Sequence, residues 1–103
     1  MKKKIAILGS TGSIGQSTLE VIRKDKKNFN IILLSANNNY KKLVEQAKQF
    51  KVKNVLIKNH KFYLNVKNSL KRTKTKVYSG DISIKRIIFK KLDYTMSEIG
   101  RAH

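Results

Sequence analysis

Ile5-Ala6-Ile7-Leu8 and Ile31-Ile32-Leu33-Leu34 are unbroken apolar runs, closed by Gly9 and by Ser35 to Asn39. Runs this short, with punctuation directly behind them, predict strands buried on both faces, as in a parallel sheet. Val52 with Val55-Leu56-Ile57 predicts a third strand, Lys76-Val77-Tyr78 a short fourth and Tyr94-Thr95-Met96-Ser97 a last. Between these runs the apolar spacing becomes helical. Ile14, Thr18, Leu19, Val21 and Ile22 predict a helix to about Lys24, ended by the polar break Asp25 to Asn28. Leu43, Val44, Ala47 and Phe50 mark a second helix, and Phe62, Leu64, Val66 and Leu70 a third. Ile84, Ile87 and Ile88 lie on the inner side of a fourth, over residues 82–89. Strict alternation of strand and helix predicts an α/β fold: a Rossmann-like, doubly wound parallel sheet with right-handed crossovers and helices on both faces.

The chain has 103 residues, 40% of them apolar, which is enough for one domain with one modest core. It lacks cysteine, so disulfides and thiolate metal sites are excluded. The apolar run behind Met1 to Lys4 is too short for a signal core or a membrane span. The chain therefore reads as soluble and cytoplasmic. Its net charge of +18 raises nucleic-acid binding as a function. Against that, 20 of the 24 basic residues are lysine, scattered along every element, whereas base reading favours arginine. Lysine, asparagine and isoleucine all have A/T-rich codons, and compositional drift accounts for the excess. Nucleic acid is accordingly an unlikely partner, while a positive field assists capture of a phosphorylated one.

The chemistry concentrates in Gly9-Ser10-Thr11-Gly12-Ser13-Ile14-Gly15, between the first predicted strand and the first helix. A helix N-terminus there offers backbone N–H groups and partial positive charge to a phosphate. Gly9 permits the turn off the strand, Gly12 a close backbone approach to a diphosphate, and Gly15 close helix packing. No Gly-Lys-Ser/Thr follows, which excludes a P-loop. Dinucleotide sites for NAD usually place an acid about 20 residues beyond the loop, on the ribose. Ile31 to Leu43 contains none; Ser35, Asn37, Asn38, Asn39, Tyr40, Lys41 and Lys42 stand there instead, and favour NADP. His60 reads as a surface residue, Glu20 and Glu45 as solvated charges, and Asp81 as a helix cap. No nucleophile–base pair or carboxylate cluster appears.

Lys3 to Gly15, with Ser17-Thr18-Leu19 and Val21-Ile22 behind it, closely resembles the opening of the 1-deoxy-D-xylulose 5-phosphate reductoisomerase family. Phe29, Leu34-Ser35-Ala36 with Asn39, Val44-Glu45-Gln46 with Phe50, and Tyr78-Ser79-Gly80 fit as well. The resemblance implies an NADPH-dependent oxidoreductase of non-mevalonate isoprenoid biosynthesis. With Mg²⁺ or Mn²⁺ it would convert a phosphorylated ketose, 1-deoxy-D-xylulose 5-phosphate, to 2-C-methyl-D-erythritol 4-phosphate, as a homodimer. It implies that Thr11, Gly12, Ser13 and Ile14 touch the NADPH diphosphate and its surroundings. Asn37, Asn38 and Asn39 would border the adenosine ribose and its 2′-phosphate. Many members carry Gly-Lys-Asn there; this chain lacks that lysine, which puts one phosphate contact in doubt, with Lys41 and Lys42 as candidate substitutes.

The family's substrate-binding lysine–glutamate pair, metal carboxylates and lid histidine are expected beyond position 103. On this reading residues 1–97 are a partial NADPH-binding domain. Residues 98–103 are expected to be a non-native tail, because their codons can spell a common sequencing-library adapter, although Ile99 and Gly100 also fit the family's own pattern. The chain would then bind NADPH weakly or not at all alone, without turnover. A basic nucleic-acid-binding module and a non-catalytic nucleotide-binding Rossmann protein are the alternative readings.

Overall fold

The computed structural model describes residues 3–80. Over that span the order is β1 (Lys3–Ile7), α1 (Ser13–Arg23), β2 (Phe29–Ala36), α2 (Tyr40–Phe50), β3 (Asn54–Ile57), α3 (Tyr63–Ser69) and β4 (Lys76–Ser79). Short 3-10 turns at Lys26–Asn28 and His60–Phe62 lead into β2 and α3. The predicted helix at 82–89, the last strand at 94–97 and the tail at 98–103 lie outside the described residues.

The four strands form one parallel sheet in the order β1-β2-β3-β4. Each strand is added on the same side of the one before it. Right-handed crossovers repeated in one direction return every helix to the same face. The packing follows that rule: Leu19 and Ile22 of α1, Leu43 and Ala47 of α2, and Val66 of α3 share one core with Ile5, Ile7, Ile31, Val55 and Ile57. The opposite face carries a smaller cluster of Ala6, Ile32, Leu33 and Leu56, flanked by Leu8 and Tyr78. All the described helices therefore lie on one face of the sheet, where the sequence predicts helices on both.

A bulge in β2 reconciles the strand with its neighbours. Ile5 pairs with Ile31, but Ala6 pairs with Leu33, so Ile32 and Leu33 both turn to the second face. This shift returns Leu34 and Ala36 to the helix-covered core. Ser35 and Ala36, where the sequence suggests a closing turn, continue the strand by pairing with Leu56 and Ile57 of β3.

In α1 the buried stripe is Gly15, Leu19 and Ile22, at spacings of four and three. Val21, counted in the apolar pattern, is 67% exposed because its position faces away from that stripe. In the same way α3 buries Val66 and leaves Leu64 outside.

Gly15 sets the distance between helix and loop. A Cβ at this position would lie 2.4 Å from the Gly9 carbonyl oxygen and 2.6 Å from the Ser10 Cα. The obstacle is backbone, which cannot rotate aside. Gly15→Ala should therefore destabilise the protein by about 1–3 kcal/mol, despite the better helix propensity of alanine. Urea unfolding followed by circular dichroism measures it; an unchanged midpoint would show that the helix tilts away without cost.

Candidate functional site

All four strands are parallel, so their carboxyl ends meet along one edge of the sheet. In open α/β sheets this is the edge that takes ligands. The loop after β1 turns at Gly9, whose φ of 70° suits a residue without a side chain. The Gly9 carbonyl then accepts from the Gly12 N–H at 3.1 Å, closing the turn into α1.

Ser10 holds this loop in place and is fully buried. Its N–H donates to the Ser35 carbonyl at 2.9 Å, and the Gly9 N–H donates to Ser35 Oγ at 3.1 Å. Ser10 Oγ donates to Gln46 Oε1 at 2.8 Å, while Gln46 Nε2 donates back to the Ser10 carbonyl at 3.0 Å. The reciprocal pair ties loop, β2 and α2 into one unit, and among the described residues no buried side-chain nitrogen or oxygen lacks a hydrogen-bond partner.

Beyond Ser10 the chain rises to the surface. Thr11 is half-buried, and Gly12, Ser13 and Ile14 are exposed around the start of α1. Gly12 is the N-cap residue and provides no side-chain cap. The first turn contains no acidic residue, and among the described residues no side chain accepts from Ser13, Ile14 or Gly15 N–H. This helix start thus presents unsatisfied donors and a positive dipole end to the outside. Gly12 differs from Gly15: a Cβ here would meet only the Gly9 oxygen, at an ordinary 3.5 Å. Its φ of −77° is open to any residue. Nothing in the described protein requires glycine at position 12.

The Asn37 to Asn39 turn follows the adjacent strand, on the same edge. It is pinned by β3's extension: Lys58 N–H donates to the Ala36 carbonyl at 2.8 Å and Asn59 N–H to the Asn37 carbonyl at 3.0 Å. Asn38 Oδ1 accepts from Asn59 Nδ2 at 2.8 Å, and Asn39 Oδ1 accepts from Lys42 N–H at 3.2 Å, capping α2. The acceptor oxygens of Asn38 and Asn39 are thus engaged within the protein, which leaves their NH₂ groups as donors. Lys41 is exposed beside them, and Lys42 approaches Glu45 at 3.9 Å.

The sequence-predicted site residues accordingly fall into two groups on neighbouring strand ends, joined beneath by Ser10, Ser35 and Gln46. Ser35 and Gln46 entered the sequence reading only as matching letters. Gln46 had a visible signal, a polar residue three after Leu43 and four before Phe50, on the buried stripe of α2. His60 is exposed, as expected, but not idle: its Nδ1 lies 2.7 Å from Ser79 Oγ, and its ring stacks on Tyr63. Glu20 faces solvent on α1, where a hydrogen bond from Arg23 holds its carboxyl below the ordinary range.

A parallel sheet whose first strand enters a helix through an uncapped glycine loop defines a Rossmann-like α/β domain. Comparison with known proteins narrows the class. A family model described as 1-deoxy-D-xylulose 5-phosphate reductoisomerase matches residues 5–102, and the chain belongs to that family. A relative bearing that name in Pelagibacter ubique is 48% identical over 99 residues, covering 94% of this chain and 26% of that protein. Another, in Phocaeicola vulgatus, is 44% identical over 88 residues, covering 85% and 23%. The solved enzyme of Zymomonas mobilis in complex with NADPH superposes with a TM-score of 0.85 at 29% identity, covering 92% of this chain and 25% of that one. A structure with NADPH, fosmidomycin and magnesium superposes at 0.81 and 28% identity, covering 90% and 23%. The chain spans about a quarter of the length of the relatives it matches.

Gln46→Leu tests the buried joint. It would leave the Ser10 carbonyl without its Gln46 donor and Ser10 Oγ with only a 3.4 Å contact to the Ser35 carbonyl. The expected loss of stability is about 1–3 kcal/mol, read from thermal unfolding. A variant as stable as the parent would mean that the clamp contributes nothing.

Proposed function

We propose that this chain is the NADPH-binding part of a 1-deoxy-D-xylulose 5-phosphate reductoisomerase. Thr11, Gly12, Ser13 and Ile14 receive the diphosphate at the start of α1. The carrying observation is the pairing of unsatisfied N–H donors with a glycine at position 12 that the protein itself does not need. A ligand backed against the loop supplies the missing reason: a side chain at Gly12 would stand in its path.

Asn37, Asn38 and Asn39 border the adenosine ribose and its 2′-phosphate. Amide NH₂ donors beside Lys41 suit a phosphate, which only accepts hydrogen bonds. A carboxylate in that position would instead favour the free 2′-hydroxyl of NAD. The family relationship and the NADPH held by the Zymomonas mobilis enzyme support the same cofactor.

The complete reaction, reduction and isomerisation of a phosphorylated ketose with a divalent metal, is proposed for the whole protein. The described residues do not fit the metal: they contain no group of three His, Cys, Asp or Glu able to hold an ion. No helix among them is long and apolar enough to cross a membrane. A homodimer and a cytoplasmic location complete the proposal by family.

A chimera tests this reading. Residues 1–97 of this chain replace the matching segment of the Pelagibacter ubique protein, to which it is 48% identical. We expect NADPH-dependent turnover of 1-deoxy-D-xylulose 5-phosphate. Gly12→Ala in that chimera should raise KM for NADPH about tenfold or more, equivalent to about 1.4 kcal/mol, with little change in melting temperature. A folded chimera that does not bind NADPH would refute the proposal.

A further inference from the structure

An amide side chain carries an acceptor oxygen at one corner and a donor NH₂ at the other, and a half-turn exchanges them. On an exposed turn such as Asn37 to Asn39, either corner could meet a ligand. The backbone around this turn removes that freedom. Asn39 Oδ1 accepts from the Lys42 N–H at 3.2 Å. A backbone N–H only donates, so the oxygen must stand at that corner and the NH₂ at the other.

Asn38 is fixed at one remove. Its Oδ1 accepts from Asn59 Nδ2 at 2.8 Å, across 21 residues of sequence. A pair of amides would hold equally well with both groups reversed. Asn59 cannot reverse, because its own Oδ1 accepts from the Lys61 N–H at 3.0 Å, capping the 3-10 turn at His60–Phe62. The direction of that backbone bond therefore passes through Asn59 to the Asn38 amide.

Asn59 is itself anchored. Its N–H donates to the Asn37 carbonyl at 3.0 Å, and its carbonyl accepts from the Phe62 N–H at 3.0 Å. The Asn38 carbonyl accepts from the Tyr40 N–H at 2.8 Å and the Asn39 carbonyl from the Leu43 N–H at 3.1 Å. The three carbonyls of the turn, and the side-chain oxygens of Asn38 and Asn39, are thus all engaged by donors of the protein. The NH₂ groups of Asn38 and Asn39 remain to be offered, with the exposed Lys41 beside them. A ligand group that only accepts matches this turn, whereas one that donates finds its acceptors already occupied.

We propose, resting on the placement of Asn37 to Asn39 at the adenosine ribose, that Asn59 is a positioning residue for cofactor choice. By holding the Asn38 oxygen it keeps the Asn38 NH₂ available, and so favours the 2′-phosphate of NADPH over the free 2′-hydroxyl of NADH. A phosphate monoester only accepts, and an amide oxygen turned toward it would repel it. A hydroxyl both donates and accepts, and either corner of the amide serves it.

Asn59→Asp separates this role from that of a simple cap. Aspartate caps as well as asparagine does and keeps the bond from the Lys61 N–H. Its second oxygen accepts where Nδ2 donates, so the Asn38 amide must reverse and present its oxygen instead.

The test uses the chimera in which residues 1–97 of this chain replace the matching segment of the Pelagibacter ubique protein. Calorimetry compares adenosine 2′,5′-bisphosphate with AMP, which lacks the 2′-phosphate, and kcat/KM is measured with NADPH and with NADH. In Asn59→Asp both preferences should fall about tenfold, with AMP binding, NADH turnover and melting temperature little changed. Asn59→Ala frees the Asn38 amide and loses the cap; its preference should fall about threefold and its melting temperature should drop. Lys61→Gln removes one exposed charge two residues away, keeps the backbone N–H, and should change the preference by less than about twofold. An unchanged preference in either folded Asn59 variant would overturn the proposal and leave the cofactor reading standing. Equal weakening of bisphosphate and AMP in Asn59→Asp would reduce Asn59 to a structural cap, and equal loss of preference in Asn59→Asp and Lys61→Gln would reduce the effect to net charge; either overturns the proposal. A parent chimera that does not distinguish the bisphosphate from AMP would overturn the placement at the ribose, and the role of Asn59 with it.

Discussion

The start of α1 approaches the glycine loop so closely that a methyl group does not fit between them. Gly15 lies against the backbone of Gly9 and Ser10, and this contact fixes where the helix begins and which way its N–H groups point. Ser10 is then pressed into the interior, where it meets Ser35 and Gln46. The loop is consequently preorganised by β2 and α2 before any ligand arrives. A phosphate bound at such a site does not have to order the loop first, and affinity gains accordingly.

The same packing divides labour among the three loop glycines. Gly9 serves the turn through its positive φ, and Gly15 serves the packing. Gly12 serves neither, and its reason lies outside the described protein. Sequence assigns all three from the spacing of the motif. Only the geometry separates the two glycines that hold the fold from Gly12, which lies exposed with room for a side chain.

Strand and helix order through β4 was legible because apolar runs and helical spacing report burial directly. The side on which the helices pack was not, since it depends on strand order, which no local pattern encodes. Ile32 and Leu33 read as ordinary strand residues, yet the bulge sends both to one face. The site loop was legible from its glycines. The joint beneath it was not, because Ser10, Ser35 and Gln46 are 25 and 11 residues apart in sequence and meet only through the β2–α2 crossover. Lysine distribution failed for the same reason: Lys4, Lys53 and Lys74 are neighbours only once parallel strands align their entries.

The central claim is that a dinucleotide phosphate rests on the first turn of α1, at the carboxyl end of the sheet. Backbone amide shifts recorded during NADPH titration of the ¹⁵N-labelled chimera with the Pelagibacter ubique protein address it residue by residue. The account predicts the largest changes at Thr11 to Gly15, smaller ones at Asn37 to Asn39, and none at Lys53 or Lys74 across the sheet. Changes concentrated at the lysine-lined amino edge, with Ser13 and Ile14 unmoved, would contradict it.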